Sequence, residues 1–361
     1  MKVIIAGGGT GGHLFPAVAL GEELGRERAD TEVLYVGATN GLEAKWLPRH
    51  GLPHELLAVR GWTGKGPLTR LRAASEFVSA IIRARILLRR VAADLVVGVG
   101  GYASVPMVVA AILKKTPVVL LEQNIRPGLS NRLLWRFVRL VCVGFDATAS
   151  YFNYSKVRVT GNPVRFAFIP HTKREIAPPL QILVLGGSSG AHRLNVGFVN
   201  ALKIWGKAVI NINIVHQTGE ADVGLAEAAY RELGCLGRVV PFIDDMAAAL
   251  DDADLVIARA GAMTVSEIAL ASRAALFVPY PFHRDRQQEL NARVLERLGG
   301  ARVVHDDDRL AVNLAAMMDE LTAQPARLVE MGRRAAIAAK PEAAARIARA
   351  CYEVAQRKGA A

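Results

Sequence analysis

The sequence predicts an α/β protein made of two lobes, each with a parallel sheet. Short β-branched runs alternate with helix-length amphipathic segments along the whole chain, and a glycine-rich turn follows the first strand of each half. The run from Asp94 to Val105 (DLVVGVGGYASV) is echoed by the run from Asp254 to Val265 (DLVIARAGAMTV), each a strand, a glycine turn and a helix start. With 361 residues, 52% hydrophobic and 22% charged, the chain is long enough for two cores.

In the first half the pattern places strands at Lys2 to Ala6, Glu32 to Gly37, His54 to Val59, Asp94 to Val99, Pro117 to Leu121, Arg139 to Val143 and Val157 to Thr160. In the second half they fall at Gln181 to Leu185, Ile210 to Val215, Arg238 to Phe242, Asp254 to Ala258 and Ala275 to Pro279. The expected domains are 1–163, 164–340 and a final helix in 341–361 that follows Pro341 and packs back across the lobes. The stretch from Leu95 to Leu113 is uncharged and almost long enough to span a bilayer, but Gly98, Gly100, Gly101, Ser104 and Pro106 break it, so a strand, turn and helix explain it better. The N-terminus lacks the zones of a secretory signal, and three scattered cysteines indicate neither a disulfide framework nor a zinc site.

Between the first strand and a helix stand Gly7 to Gly12, with Thr10 among them and His13 just after. Such a turn lets backbone N–H groups approach an oxyanion or a sugar, and a helix N-terminus favours negative charge by up to ~2 kcal/mol in sheltered geometry. Gly7, Gly9 and Gly12 also satisfy GxGxxG, the mark of a nicotinamide dinucleotide fold. The second strand, however, ends Tyr35-Val36-Gly37-Ala38 without the acid that such a fold uses on the ribose. A second loop, Gly186 to Gly190 with Ser188 and Ser189, repeats the arrangement and suits a diphosphate. Two such loops suggest one ligand bridging a cleft between lobes.

The strings GGTGGH (Gly8 to His13), GGY (Gly100 to Tyr102), EQN (Glu122 to Asn124), GNPVR (Gly161 to Arg165), GGSSGA (Gly186 to Ala191), FIDDM (Phe242 to Met246), GAMTVSE (Gly261 to Glu267) and DRQQ (Asp285 to Gln288) run in order over most of the chain. Together they resemble the MurG family of bacterial cell-wall transferases. The resemblance implies a GT-B fold of two Rossmann-like lobes. It also implies transfer of N-acetylglucosamine from its UDP conjugate to lipid I, the undecaprenyl-diphosphate-linked N-acetylmuramoyl pentapeptide, giving lipid II. A transferase acting on diacylglycerol, or a basic nucleotide-binding module at a membrane surface, is the alternative. The carry-over places Ile243 against uracil and Glu267 on the ribose hydroxyls. Ala262, Met263, Thr264, Val265 and Ser266 fall at the helix start under the diphosphate, Gln287, Gln288 and Asn291 on the sugar, and Arg165, Ser188 and Ser189 on the diphosphate or uridine. Ser189 stands where family members often carry glutamine. Thr10, Gly11, Gly12, Tyr102 and Asn124 line the acceptor side.

One carboxylate can accept both hydrogen bonds of a vicinal diol, which suits Glu267, although a helix-capping role would also place an acid there. Inverting transfer needs a base for the acceptor hydroxyl, and His13, neutral at a helix N-terminus, is the candidate. A helix cap or a donor to diphosphate is the other reading of that position. The DxD-like runs Asp252 to Asp254 and Asp306 to Asp308 read as a strand entry and a loop with a helix cap, so neither a metal nor a cofactor is expected.

The net charge of +12 implies a negatively charged partner. Half of it lies between Lys65 and Arg90, where seven basic residues face one acid, Glu76. On that helix Leu71, Val78 and Ile82 form one stripe and Phe77, Ile81 and Leu88 another, so one can face the core and the other lipid. Lys65, Leu68, Arg70, Leu71, Arg72, Phe77 and Ile81 are the expected membrane residues; a basic solvated face is the plainer reading. No recognition helix, zinc finger or aromatic platform points to nucleic acid, and only 6% of residues are aromatic. The resulting expectation is a peripheral protein on the cytoplasmic face of the bacterial inner membrane, with other cell-wall synthesis proteins as further partners.

Overall fold

The structure is a computed structural model that describes residues 1–59, 67–165, 175–187, 190–206, 211–283 and 285–356, with the backbone alone for 67–74. The chain divides into two units, Met1–Arg165 with Glu342–Ala361, and Phe166–Pro341.

In the first unit, strands β1 (Lys2–Gly7), β2 (Glu32–Ala38), β3 (His54–Leu57), β4 (Leu95–Gly100), β5 (Val118–Glu122), β6 (Leu140–Val143) and β7 (Val157–Val159) form one sheet in the order β3-β2-β1-β4-β5-β6-β7. Every pairing is parallel. Alternate residues of these apolar strands enter different cores, because successive side chains leave opposite faces of a sheet. Val3, Ile5, Val97 and Leu121 pack with Leu14, Val18 and Leu24 of α1 (Gly11–Glu27). Ile4, Val96 and Leu120 pack with Ala80, Ala84 and Leu88 of α3 (Pro67–Val91) and Met107 of α4 (Ser104–Leu113). Two shorter helices, α2 (Glu43–Arg49) and α5 (Leu129–Leu134), follow β2 and β5.

In the second unit, β8 (Leu180–Leu185), β9 (Ile212–Gln217), β10 (Leu236–Val240), β11 (Leu255–Ala258), β12 (Ala274–Phe277) and β13 (Ala301–Val303) pair in parallel in the order β10-β9-β8-β11-β12-β13. The sequence reading lacks β13. It is only three residues long and includes Arg302, so no apolar run is legible, and its parallel pairing with Ala275, Leu276 and Phe277 of β12 makes it a strand. Between the strands run α6 (His192–Trp205), α7 (Val223–Leu233), α8 (Met246–Asp252), α9 (Ala262–Ala271) and α10 (Gln287–Arg297), and α11 (Leu310–Thr322) and α12 (Pro325–Ala335) follow β13. Phe198 of α6, Leu314 and Met318 of α11 and Leu276 of β12 are fully buried in its core, each such side chain contributing roughly 1.5–3 kcal/mol.

The last helix, α13 (Ala343–Gln356), belongs to the first unit. Its Ile347, Cys351 and Tyr352 pack beside Leu20 and Leu24 of α1, and the Tyr352 hydroxyl donates to the Leu24 carbonyl at 2.7 Å. Among the described residues no helix is long and apolar enough to cross a membrane. The stretch from Leu95 to Leu113 is β4, a glycine turn and α4.

Both sheets reverse direction once, between β1 and β4 and between β8 and β11. At such switch points the loops leaving the carboxyl ends of the two strands diverge and open a crevice, which is where open parallel sheets bind ligands. All four glycine turns singled out above stand there.

Candidate functional site

In the first unit the turn Gly8–Thr10 joins β1 to α1. Gly9 has φ +96° and donates its N–H to the Glu43 carboxylate, 3.0 Å to Oε1 and 2.8 Å to Oε2. The turn after β4 lies against it. Gly101 has φ +75°, and a Cβ there would stand 2.4 Å from the Gly8 carbonyl oxygen, so only glycine lets the two turns touch. A Cβ on Gly100 would meet the His13 ring at 2.9 Å. The imidazole therefore packs on bare backbone, with Nδ1 3.4 Å from the Thr10 hydroxyl. Burial pushes the His13 pKa down to about 4, so the ring is neutral around pH 7. The Tyr102 ring covers Gly9.

The next turn of the same crevice, after β5, is organised by Glu122. Its buried carboxylate accepts from the Asn124 backbone N–H at 3.0 Å, the Gly128 N–H at 2.9 Å and the Asn131 amide at 2.8 Å. Burial raises its pKa, and these bonds oppose the rise. Gln123 is buried and donates to the Val99 carbonyl at 3.0 Å, tying this turn to β4. Arg165 stacks its guanidinium over Phe15 and Trp46, 4.9 and 6.0 Å from their ring centres.

In the second unit the loop after β8 rests on the end of β9. The Gln217 amide donates to the Gly187 carbonyl at 3.1 Å, and Gly190, at φ +76°, has no room for a Cβ beside the Thr218 carbonyl. Beneath the loop runs a buried polar chain. Asn195 donates to Thr218 O at 2.9 Å and to Asp222 Oδ2 at 2.7 Å, while Asp222 Oδ1 holds His192 Nδ1 at 2.8 Å. His216, fully buried, joins Asn195 Oδ1 at 3.2 Å to the Tyr230 hydroxyl at 3.0 Å.

Burial lowers the His216 pKa to about 4, against 6.5 when unfolded. Between those values the unfolded chain binds the proton and the folded one does not, so this contribution to stability is complete above pH 6.5 and drains away as the pH falls towards 4. Urea midpoints measured from pH 7 down to 4.5 are expected to fall, and His216→Gln is expected to flatten the fall. An equally steep fall in the variant would remove His216 as its cause.

α9 starts at the second switch point with no side-chain cap on Gly261, so its first N–H groups face the end of β11 without intrahelical acceptors. Arg259, just before it, is buried and donates to the carbonyls of Val278 and Pro279, 2.9 and 3.4 Å, and to Asp306 Oδ2 at 2.8 Å. Arg193 of α6 reaches the other Asp306 oxygen at 2.8 Å. Asp306 is therefore the centre of a cation cluster. Among the described residues no group of His, Cys, Asp or Glu is arranged to hold a metal. Asn291 is fully buried and donates to the Ala260 carbonyl at 3.3 Å; Gln288 accepts from the Tyr280 N–H at 2.9 Å.

Residues 3–143 match the glycosyltransferase family 28 N-terminal domain, and residues 181–347 the C-terminal domain of the same family. The chain belongs to glycosyltransferase family 28. Within that family it is 40% identical over 356 residues to a Myxococcus xanthus protein named UDP-N-acetylglucosamine–N-acetylmuramyl-(pentapeptide) pyrophosphoryl-undecaprenol N-acetylglucosamine transferase, covering 98% of this chain and 93% of that one. A protein of the same name from Syntrophotalea carbinolica is 41% identical over 360 residues, covering 98% and 99%. The crystal structure of Acinetobacter baumannii MurG superposes with a TM-score of 0.76 at 32% identity, covering 98% of this chain and 99% of that one. The two Rossmann-like units of this family 28 chain are those of the GT-B class.

The family 28 site residues read from sequence fall into two groups. Thr10, Gly11, Gly12, His13, Tyr102, Asn124 and Arg165 lie in the first unit. Ile243, the segment Ala262 to Glu267, Gln287, Gln288 and Asn291 lie in the second, at the carboxyl edge of its sheet. Ser188 and Ser189 lie outside the described residues, as does Lys65; Leu68, Arg70, Leu71 and Arg72 have only their backbone described. On α3 the structure assigns the stripes. Ile81, expected among the membrane residues, packs half-buried on the core, because the face carrying Ala80, Ala84 and Leu88 is turned to the sheet. Phe77 is also half-buried. Val78, Ile82 and Ile86 are 55–60% exposed and share the outer side with the exposed Arg83, Arg85 and Arg89. Glu43, Gln217, Arg259 and Asp306 escaped the sequence reading as positioning groups; a charged residue inside a strand-end glycine turn, as in ARAG, is the one signal that would have marked Arg259.

Proposed function

We propose that this chain transfers N-acetylglucosamine, with inversion, from UDP-N-acetylglucosamine to the C4 hydroxyl of lipid I, forming lipid II. The observation that carries it is the near full-length similarity to transferases named for that reaction. The first unit takes the acceptor, with Tyr102 and Asn124 lining its crevice and His13 as the base. The second unit takes the donor: the Ile243 backbone meets uracil, Glu267 the ribose, the start of α9 from Ala262 to Ser266 the diphosphate, and Gln287, Gln288 and Asn291 the sugar. Arg165, Ser188 and Ser189 complete the nucleotide contacts. Charge on the departing diphosphate is met by the α9 amides and not by a metal.

The test is transfer of radiolabel from UDP-N-acetylglucosamine to a short-chain lipid I analogue. Glu267→Ala is expected to raise the donor KM with the acceptor KM intact. Turnover in EDTA is expected to match that with magnesium; loss restored by magnesium would overturn the metal-free reading.

Peripheral docking on anionic lipid is supported by the outer face of α3, where three apolar side chains stand among arginines. Each basic group near such a leaflet adds about 1 kcal/mol, screened by salt. The protein is expected to sediment with phosphatidylglycerol vesicles at low salt, and Ile82→Ser with Ile86→Ser to weaken this several-fold. Unchanged sedimentation by the double variant would place docking elsewhere.

A further inference from the structure

Glu43 is an odd residue to find beneath a turn proposed to receive a substrate carrying a diphosphate. It opens α2, is fully buried, and has no ion-pair partner among the described residues. Its contacts are all donors: the Gly9 N–H on both oxygens and the Ala38 N–H on Oε1 at 2.7 Å, the pattern of an ionised carboxylate. Three glycines make its space. A Cβ on Gly8, Gly37 or Gly41 would lie 2.1–2.2 Å from Glu43 side-chain atoms. A turn of this shape binds anions by pointing N–H groups outward. Here Gly9 points its N–H inward and is consumed, and the charge behind it repels phosphate through a poorly screened interior.

We propose that Glu43 sets the ligand preference of the first unit's glycine turn, so that the turn seats the uncharged, hydroxyl-bearing sugar face of the acceptor and not its diphosphate. The inference rests on the transfer reaction proposed above. Tyr102, whose ring covers Gly9 and is 37% exposed, supplies the flat apolar wall that a sugar ring stacks against. Glu43 acts through the backbone and is a positioning residue.

The experiment uses the full chain, UDP-N-acetylglucosamine, a short-chain lipid I analogue and inorganic pyrophosphate as the anion probe. In the wild type, pyrophosphate is expected to compete with the donor and not with the acceptor. Glu43→Gln removes the charge and turns an amide donor towards the Gly9 or Ala38 N–H. It is expected to lower kcat/KM for the acceptor by roughly tenfold to a hundredfold, leave the donor KM unchanged, and make pyrophosphate competitive with the acceptor. Glu43→Asp keeps the charge but shortens the reach, so it is expected to lose rate without gaining that competition. Pyrophosphate competing with the acceptor in the wild type as well as in Glu43→Gln overturns the proposal, and so does a Glu43→Gln enzyme with unaltered acceptor kinetics and inhibition pattern. Near-UV dichroism and UDP binding report on folding; should Glu43→Gln not fold, the wild-type inhibition pattern still decides. A wild type that transfers nothing would overturn the proposed reaction instead.

Discussion

His13→Ala is expected to bind UDP as the wild type does and to lose turnover by about 10²- to 10⁴-fold, the usual span for a positioned base. The geometry behind this is a ring held against Gly100 and Gly101 with its Nδ1 3.4 Å from the Thr10 hydroxyl. Such a ring is uncharged at neutral pH, because burial holds its pKa near 4, and a neutral imidazole can accept a proton. The sign of the pH dependence follows. A base is active when unprotonated, so kcat/KM for the acceptor should hold steady from pH 7 downwards and fall only as the pH passes through about 4. His13→Gln separates the two readings of this position. Glutamine keeps a hydrogen-bond donor and acceptor of similar reach but has no basic nitrogen. A variant as slow as His13→Ala marks a base; one close to wild-type rate marks a donor or a cap, and the base assignment falls.

Asp306→Ala is expected to destabilise the second unit by about 3–5 kcal/mol, since removing one member of a buried pair leaves the other charge uncompensated. The side chain of Asp306 is 0% exposed and that of Arg259 9%. The same arginine fastens the chain after β12 through Val278 and Pro279, and it directly precedes the loop into α9. A rise in donor KM should therefore accompany the lost stability. Asp306→Asn, which can still accept from Arg259, should cost less of both. Denaturant titration of the full chain with a probe in the second unit measures the first effect and initial rates the second. A change below about 1 kcal/mol would mean that Arg259 is satisfied by carbonyls alone.

Much of this protein is legible one segment at a time. The seven strands of the first sheet and five of the six in the second announce themselves by short apolar or β-branched runs between turn residues; the central ones, β1, β4 and β8, are parallel strands buried on both faces, which need little else. The glycine turns are legible for a similar reason. Gly101 and Gly190 hold backbone angles that side chains resist and stand where a Cβ would strike a carbonyl, so the residue type itself carries the information. The final helix is legible too, as an amphipathic run after Pro341, whereas its seat against Leu20 and Leu24 of α1 is not.

Chain order and local composition were thus enough to establish two parallel-sheet units, their glycine turns and the family. What only the tertiary structure decided is how charge is managed beneath those turns. Glu43 meets Gly9 across 34 positions, Arg259 meets Asp306 across 47, and Asn195 meets Asp222 across 27. The same holds for α3, where either apolar stripe satisfies the helical period and only the sheet beneath selects the stripe of Phe77, Ile81 and Leu88, beside Ala80 and Ala84, as the inner one. A helix or strand is specified by its neighbours in sequence. A buried ion is tolerated only where distant segments bring donors to it, and that meeting is a property of the folded chain.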